Sequence, residues 1–496
     1  MSTYTVEALS LQMGVNEGER RLVWLQPPEY TGARAVIAPA AAYLRDGGFT
    51  EENSRTVQGS VTPVRRDYPC VSCKVRIEGL LPDTEYVYCV GCDTALEAGV
   101  HRFTVRGGLS ERQSFFMIAD LHINVYRRAV NEWDPDGTKA LARYENTLQS
   151  AIGYGNLPPA FFLSLGDNIS CCNMGPSMYP GPGEYTKHRS AELALREYLE
   201  FFSLETARSL GFASVLGNHD DVILSTGLDP IGDLTSILYD MPNDDGRSGH
   251  YLDSSAGDFW FTSGELLVVG INAVASAGGN LAPCAPEVHR AFIERAIAAA
   301  PHARWRILLC HVPAYSYVEG AEYRAAGTTS GNPGDRTERA RMADFFSGLS
   351  DPFGFDVVFT GHQHAFSRTY PLLDGRVCGE EARTVERAAN GTVTETLVRP
   401  RGVIHYNVPS AYAHAFFSNL PMEPAALYPA YGVTKWALHE GREKMTPGAE
   451  HFDGVTYTGA AYTHVTLTHE DGAAVMTVAS VSAETGEAFD TLIIKK

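Results

Sequence analysis

The sequence lacks any apolar run approaching the roughly 18 uninterrupted residues that a membrane-crossing helix needs, so no membrane span is expected. It is short of positive charge: 40 Lys and Arg stand against 59 Asp and Glu, a net charge of −19. A surface of that sign repels polyphosphate backbones and anionic lipid. Wrapping of nucleic acid is set aside, though a small anion held by a local cationic centre is not. The N-terminal residues MSTYTVEALS carry no basic flank and no apolar stretch, so no secretory signal is expected. Cysteine is sparse and odd in number at nine. The expectation is therefore reduced thiols in the cytoplasm, with a secreted or cell-surface protein the alternative if a signal was removed. No internal repeat or low-complexity tract is present.

What is there is a packed globular chain. Its 496 residues exceed one ordinary core, and 44% of them are hydrophobic. Residues 1–108 read as an all-β sandwich: Arg21–Gln26, Lys74–Glu78, Glu85–Gly91 and Val100–Val105 are short strands separated by turn-rich segments. The stretch from Leu80 to Tyr86 leads into a strand with Tyr86, Tyr88 and Val90 on one face. It resembles the tyrosine corner of fibronectin type III domains, where a Tyr hydroxyl caps a backbone turn. Arg106, Gly107 and Gly108 supply a hinge.

Residues 109–496 read as a layered α/β domain. Near-continuous apolar runs at Ser114–Ala119, Ala160–Leu165, Ala213–Leu216, Glu265–Ile271, Trp305–Cys310 and Phe355–Phe359 suit strands buried on both faces. Helical patterns fall at Leu141–Tyr154, Ala191–Ser209, Glu287–Ala300 and Thr337–Leu349, and Ala461–Lys496 returns to a β pattern.

Asp, Asn and His gather where these strands end: Asp120 and His122, Asp167 and Asn168, Asn218, His219 and Asp220, His311, and then His362 and His364. Open α/β sheets place ligands at such ends. One buried histidine is ordinarily a hydrogen-bonded core residue; the same chemistry repeated strand after strand points to metal. Imidazole and carboxylate ligands suit Zn, Fe and Mn. Two such ions roughly 3.5–4 Å apart clamp a displacement at phosphorus, with one carboxylate, Asp167, bridging them. A neutral ligand such as Asn218 limits the negative charge. The nucleophile would be a metal-bridging hydroxide, available near neutral pH because the metals lower the pKa of bound water.

The blocks Asp120-Leu-His122, Gly166-Asp167-Asn168, Gly217-Asn218-His219-Asp220, His311 and Gly361-His362-Gln363-His364 resemble, in order, those of the calcineurin-like metallophosphoesterase family. The resemblance implies a β-sandwich flanked by helices. Asp120, His122 and His364 would hold one metal, Asn218, His311 and His362 the second, and Asp167 would bridge. His219 would face substrate and either protonate the leaving alcohol or stabilise phosphoryl charge. Asp220 would orient His219, or cap a helix N-terminus.

A narrower resemblance is to purple acid phosphatases, which join a fibronectin-like N-terminal domain to this catalytic domain; Gly361 through Pro371 is similar to their last motif and its continuation. Two positions depart. Ser170 stands where their tyrosine ligand falls, and His122 is present where they usually lack histidine. A purple Fe(III)–tyrosinate centre is therefore not implied. The cofactor expected is two divalent or mixed-valence ions of Fe, Mn or Zn. The expected activity is an acid phosphatase-like hydrolysis of small phosphate monoesters by metal-bound hydroxide. Small phosphodiesters such as cyclic nucleotides are the alternative, and an inactive binding protein the reading from another class.

Two further features remain open in the sequence. Cys70-x-x-Cys73 and Cys89-x-x-Cys92 have zinc-ribbon spacing; strand alternation would send Cys73 and Cys92 into a core and Cys89 to the opposite face, so zinc, a Cys73–Cys92 disulfide and buried thiols all stand. Cys310 reads as strand packing, and Cys171 as a thiol near the site. The long loops Cys171–Ser190, Tyr315–Arg336 and His405–Tyr431 would either line an aromatic pocket, using Tyr406, Tyr412, His414, Phe416 and Phe417, or pack as ordinary loops. The pattern Asn168-Ile169-Ser170 is a glycosylation triplet that falls inside the proposed site and is discounted.

Overall fold

The structure is a computed structural model. It describes residues 4–63, 70–106, 112–123, 138–169, 187–217, 219–220, 237–244, 257–272, 286–313, 348–362, 364, 366–374, 376–378, 383–389, 392–411, 433–439, 455–457 and 460–496.

The N-terminal region is built from β1 (Glu7–Met13), β2 (Arg20–Gln26), β3 (Arg34–Pro39), β4 (Arg55–Gln58), β5 (Ser60–Pro63), β6 (Val71–Ile77), β7 (Thr84–Gly91) and β8 (His101–Val105). Strands β1, β2, β6 and β5 lie side by side and face a sheet ordered β4-β3-β7-β8. Alternation decides the packing: Leu11, Leu22, Trp24, Cys73 and Val75 point inward and meet Ile37, Tyr88, Val90 and Phe103 from the other sheet. The Tyr86 hydroxyl accepts a hydrogen bond from the Leu81 N–H at 3.0 Å, the backbone cap expected of that tyrosine. Strands β1, β3, β4 and β5 and the helix Ala40–Asp46 add to the elements read from sequence.

The second region contains β9 (Gln113–Ile118), β10 (Phe161–Ser164), β11 (Gly211–Ser214), β12 (Phe259–Ser263), β13 (Leu266–Gly270), β14 (Trp305–Leu309), β15 (Val357–Thr360), β16 (Ser367–Thr369), β17 (Leu372–Leu373), β18 (Arg376–Val377), β19 (Arg383–Arg387), β20 (Val393–Val398), β21 (Ile404–Asn407), β22 (Val433–His439), β23 (Val455–Tyr457), β24 (Ala461–Glu470), β25 (Ala473–Ser482) and β26 (Ala488–Lys495). Strands β9, β10 and β11 run parallel, as do β13, β14, β15 and β21. The two parallel blocks belong to separate sheets, a 12-stranded one and an 8-stranded one ordered β12-β13-β14-β15-β21-β16-β22-β23. Edge-to-face contact between Phe161 and Phe261, 5.4 Å between centroids, joins them in the core.

A ladder of aromatic rings pins the register of the first block. Phe116 stacks on Phe162 at 5.4 Å, and Phe162 on Phe212 at 5.3 Å, each pair directly opposite across parallel strands. The loops after these strands carry Asp120, Asp167 and His219, so the ladder also sets where those residues emerge.

Two expectations change. The helix read over Ala191–Ser209 is two, Lys187–Phe201 and Glu205–Ser209. Phe201, Phe202 and Leu204 are all buried between them, which one straight amphipathic helix cannot achieve. The two regions are also joined edge to edge: β1 pairs in parallel with β11, and the 12-stranded sheet runs β19-β20-β26-β25-β24-β9-β10-β11-β1-β2-β6-β5. The boundary read at 108/109 and the hinge residues Gly107 and Gly108 lie outside the described residues, as does nearly all of the helix read over Thr337–Leu349. Among the described residues, no helix is long and apolar enough to cross a membrane.

Candidate metal centre

The two parallel blocks aim their C-terminal ends at one another, and the expected ligands meet there. Asp120 and His122 follow β9, Asp167 follows β10, His311 follows β14, and His362 and His364 follow β15. All six are buried. Ligand atoms of Asp120, His122, Asp167 and His364 lie within 4.8 Å of one another, and so do those of Asp167, His311 and His362. Asp167 belongs to both groups. Asn218, the remaining expected ligand, lies outside the described residues, together with Ser170, Cys171 and Cys172.

The backbone is bent hard to bring this about. Asp120, His122, Asp167, His362 and His364 all have positive φ, between 47° and 70°. L-residues enter this left-handed region at a cost of order 1–3 kcal/mol each, a strain that recurs at functional sites. The first two loops zip together to hold the turn: Asp120 N–H donates to Gly166 O at 3.1 Å, and His122 N–H to Asp167 O at 2.9 Å. A Cβ on Gly217 would lie 2.1 Å from Asp167 Oδ1, so the side chain's path requires glycine there. Contacts between the two sheets complete the frame: His362 N–H donates to Asp120 Oδ1 at 2.8 Å, and His311 Nδ1 meets Leu165 O at 2.7 Å.

The donor set fits a pair of cations. His122 Nε2 and His364 Nε2 face each other at 2.9 Å. Asp167 Oδ2 lies 3.2 Å from His311 Nε2 and 3.5 Å from His122 Nε2. Asp120 Oδ2 is buried without a hydrogen-bond partner among the described residues, a costly state unless a cation faces it. Burial pushes the Asp120 carboxyl well above its usual range, with His311 opposing and Asp167 adding to the rise. For Asp167 burial also acts upward, but His311 and His219 outweigh it and hold that carboxyl well below. Burial pulls His311 down, yet Asp167 outweighs it and lifts the imidazole to about 9. Neighbouring carboxyls driven in opposite directions mark a site short of positive charge, which metal ions supply.

His219 is part-buried beside this cluster. Its ring lies edge-on to that of His122, 4.6 Å between centroids, and its N–H donates to Asp167 Oδ1 at 2.7 Å. Asp220 engages the backbone of the Asp167 loop. Its carboxylate accepts from the N–H groups of Asp167 at 2.7 Å, Gly217 at 2.8 Å and Asn168 at 2.9 Å. The Tyr198 hydroxyl donates to Asp220 O at 3.0 Å. The residue is a buckle under the Asp167 loop, serving backbone donors that would otherwise be orphaned. Burial and the Asp167 charge push its own carboxyl up to about 7.

Sequence reasoning missed the supports. Tyr198, Tyr239, Ser164, Ser214 and Ser410 all bond to the ligand loops, and isolated hydroxyls far away in the chain carry no motif that would flag them. Tyr406 corrects the aromatic-pocket expectation: it is fully buried in β21, its hydroxyl 2.6 Å from Ser480 Oγ. Tyr412, His414, Phe416 and Phe417 lie outside the described residues. The four N-terminal cysteines are buried free thiols. Cys73 packs in the sandwich core and Cys70 in the central core, and burial pushes them up to about 12 and about 11 respectively, away from thiolate.

A layered sheet fold carrying two His/Asp clusters hinged on one carboxylate defines a candidate metalloprotein site. Residues 114–366 match the sequence profile of the calcineurin-like phosphoesterases, and the chain belongs to that family. Among solved structures, a purple acid phosphatase from yellow lupin (Lupinus luteus) seeds is similar over 99% of this chain and 74% of its own, with a TM-score of 0.62 at 13% identity. PhoD is similar over 97% of this chain and 87% of its own, with a TM-score of 0.51 at 12% identity. A comparison with curated protein sequences finds no match.

Proposed function

We propose that the protein hydrolyses small phosphate monoesters with two metal ions held at the meeting point of its two sheets. The observation that carries this reading is Asp167, shared between the Asp120–His122–His364 group and the His311–His362 group. Asp120, His122 and His364 hold one ion. His311 and His362 hold the other, with Asn218 completing that set. When bound, the ions draw charge from the phosphoryl oxygens and make a water nucleophile available near neutral pH.

The chain's own residues then have distinct tasks. Asp167 fixes the spacing of the two ligand groups. His219 holds a proton at the leaving-group oxygen, a task favoured by its part-buried place beside His122. Asp220 keeps the Asp167 loop closed. The N-terminal domain is fibronectin type III-like, a reading supported by its two facing sheets and the Tyr86 cap on Leu81. This two-domain layout supports a small-molecule phosphoesterase over a nuclease of the same fold, and likeness over 99% of the chain to a protein named a phosphatase supports monoesters as substrates.

Metal analysis and two substrates test the reading together. Close to two equivalents of Mn, Zn or Fe are expected, without a purple band, and faster turnover of p-nitrophenyl phosphate than of bis-p-nitrophenyl phosphate. A protein that takes up no metal overturns the enzyme reading; the reverse substrate order moves the activity to diesters.

A further inference from the structure

Five consecutive backbone carbonyls, from Ile237 to Met241, each accept a hydrogen bond from a side chain of the N-terminal sandwich. Ser72 Oγ donates to Ile237 O at 2.7 Å, Gln12 Nε2 to Leu238 O at 2.8 Å, and Lys74 Nζ to Tyr239 O at 2.7 Å. Arg21 Nη1 reaches Asp240 O at 3.3 Å and Met241 O at 3.0 Å. The Asp240 N–H donates back to Gln12 Oε1 at 2.7 Å. These side chains alternate along β1, β2 and β6 with the inward-facing Leu11, Leu22, Cys73 and Val75. They therefore occupy the face that a free-standing sandwich would turn to water. Here Gln12, Arg21 and Ser72 are buried. Removing such groups from water is unfavourable unless each finds a partner, and the 237–241 backbone supplies the partners.

The clamped segment carries one side chain to the ligand loops. The Tyr239 hydroxyl accepts from Asn168 Nδ2 at 3.4 Å and also interacts with the hydroxyls of Tyr198 and Ser214. Its ring packs edge-on against Tyr198 and Phe202, at centroid distances of 6.0 and 5.8 Å. Asn168 directly follows Asp167, and its other side-chain bonds run to Ser164 Oγ at 2.6 Å and Ser214 Oγ at 3.1 Å. Tyr198 holds Asp220, which holds the Asp167 N–H. Tyr239 thus touches both supports of the shared carboxylate.

We propose that Tyr239 is a positioning residue for the Asp167 loop, and that the N-terminal sandwich is the clamp that sets it through Gln12, Arg21, Ser72 and Lys74. The inference rests on the dinuclear reading of the site. Outer partners of metal ligands typically change metal affinity 10- to 100-fold when removed, and a clamp acting through Tyr239 has to share that loss rather than add to it.

The test titrates Mn²⁺ into the full-length chain as wild type, Tyr239→Phe, Lys74→Met and the double variant. Bound ions are counted by equilibrium dialysis, and free Mn²⁺ by its electron paramagnetic resonance signal. Tyr239→Phe keeps the ring and should weaken Mn²⁺ binding about 10-fold, lowering kcat with little change in KM. Lys74→Met should weaken it in the same direction, and the double variant should lie within about twofold of Tyr239→Phe because the two act through one route. Unchanged Mn²⁺ affinity in Tyr239→Phe, or losses that multiply in the double variant, would overturn the proposal. A wild type that binds none of Mn²⁺, Zn²⁺ and Fe²⁺ would overturn the dinuclear reading with it; a wild type that binds two ions beside an equally competent Tyr239→Phe removes the clamp alone.

Discussion

Arg368 Nε meets Asp490 Oδ2 at 2.9 Å across the gap between the two main sheets, with both side chains buried. The same guanidinium bonds to Glu395, so one cation in β16 ties together β26 and β20 of the other sheet. Burial works against its charge, but the two carboxylates outweigh that and raise its pKa above the ordinary arginine value. Arg368 lies four residues beyond His364, so this tie also anchors the strand leaving the ligand loop. Arg368→Met would remove the buried cation that Asp490 and Glu395 share, leaving Glu395 with Arg383, and is expected to cost about 3–5 kcal/mol. Urea unfolding of the metal-free protein measures it; a loss below about 1 kcal/mol would mean that the carboxylates find other partners or protonate cheaply.

The strand-end ligands were legible because a ligand must sit next to the strand that delivers it. Asp120, Asp167, His311 and His362 each follow a buried apolar run within a few residues, and that adjacency survives in one dimension. Asp167 belongs to both the Asp120–His122–His364 group and the His311–His362 group. Long-range supports were not legible. Asp220 looked like a partner for its neighbour His219, yet its carboxylate reaches back 53 residues to the Asp167 N–H. The polar face of β1, β2 and β6 was not legible as a docking face, because a sequence does not show that 237–241 will cover it. The fused sheet escaped for the same reason: β1 and β11 meet through a single paired register, Gln12 with Phe212, which leaves no local pattern.

Asp220→Asn tests the buckle. An amide presents one acceptor oxygen and an NH₂ group where the carboxylate took N–H bonds from Asp167, Asn168 and Gly217. Some of these donors would face another donor, an unsatisfied buried pairing that costs about 1–3 kcal/mol. The variant should melt lower and bind Mn²⁺ more weakly. If its only defect were a loss of turnover sensitive to the leaving group, Asp220 would belong with His219 after all.

His219→Ala separates proton transfer from metal holding. The Asp167 contact to this residue runs through the backbone N–H, which alanine retains. Metal content should stay near that of the wild type. Turnover should fall about 10²–10⁴-fold, most for substrates with poor leaving groups, as the loss of a general acid predicts. Equal losses for p-nitrophenyl and alkyl phosphates would remove His219 from that role.

The C-terminal sheet predicts a pH dependence of stability that is separate from the metal centre. His464 in β24 is buried, with its ring 5.0 Å from that of Tyr154, and burial lowers its pKa from 6.5 to about 4. The folded state therefore holds it neutral, whereas the unfolded chain takes up a proton once the pH drops below about 6.5. With more protons bound in the unfolded state, stability rises with pH across this window. Going down, each unit between about 6.5 and about 4 removes about 1.4 kcal/mol through this one group, and below about 4 the loss stops growing. Other buried groups add their own slopes, His405 among them, since burial lowers it to about 3. A His464→Leu variant isolates the contribution: urea unfolding at pH 7, 6 and 5 should give wild type and variant curves that diverge toward acid, with the variant the flatter. Parallel curves would mean that His464 can accept a proton in the folded state, and that its Nε2, which has no hydrogen-bond partner among the described residues, gains one when the ring is charged.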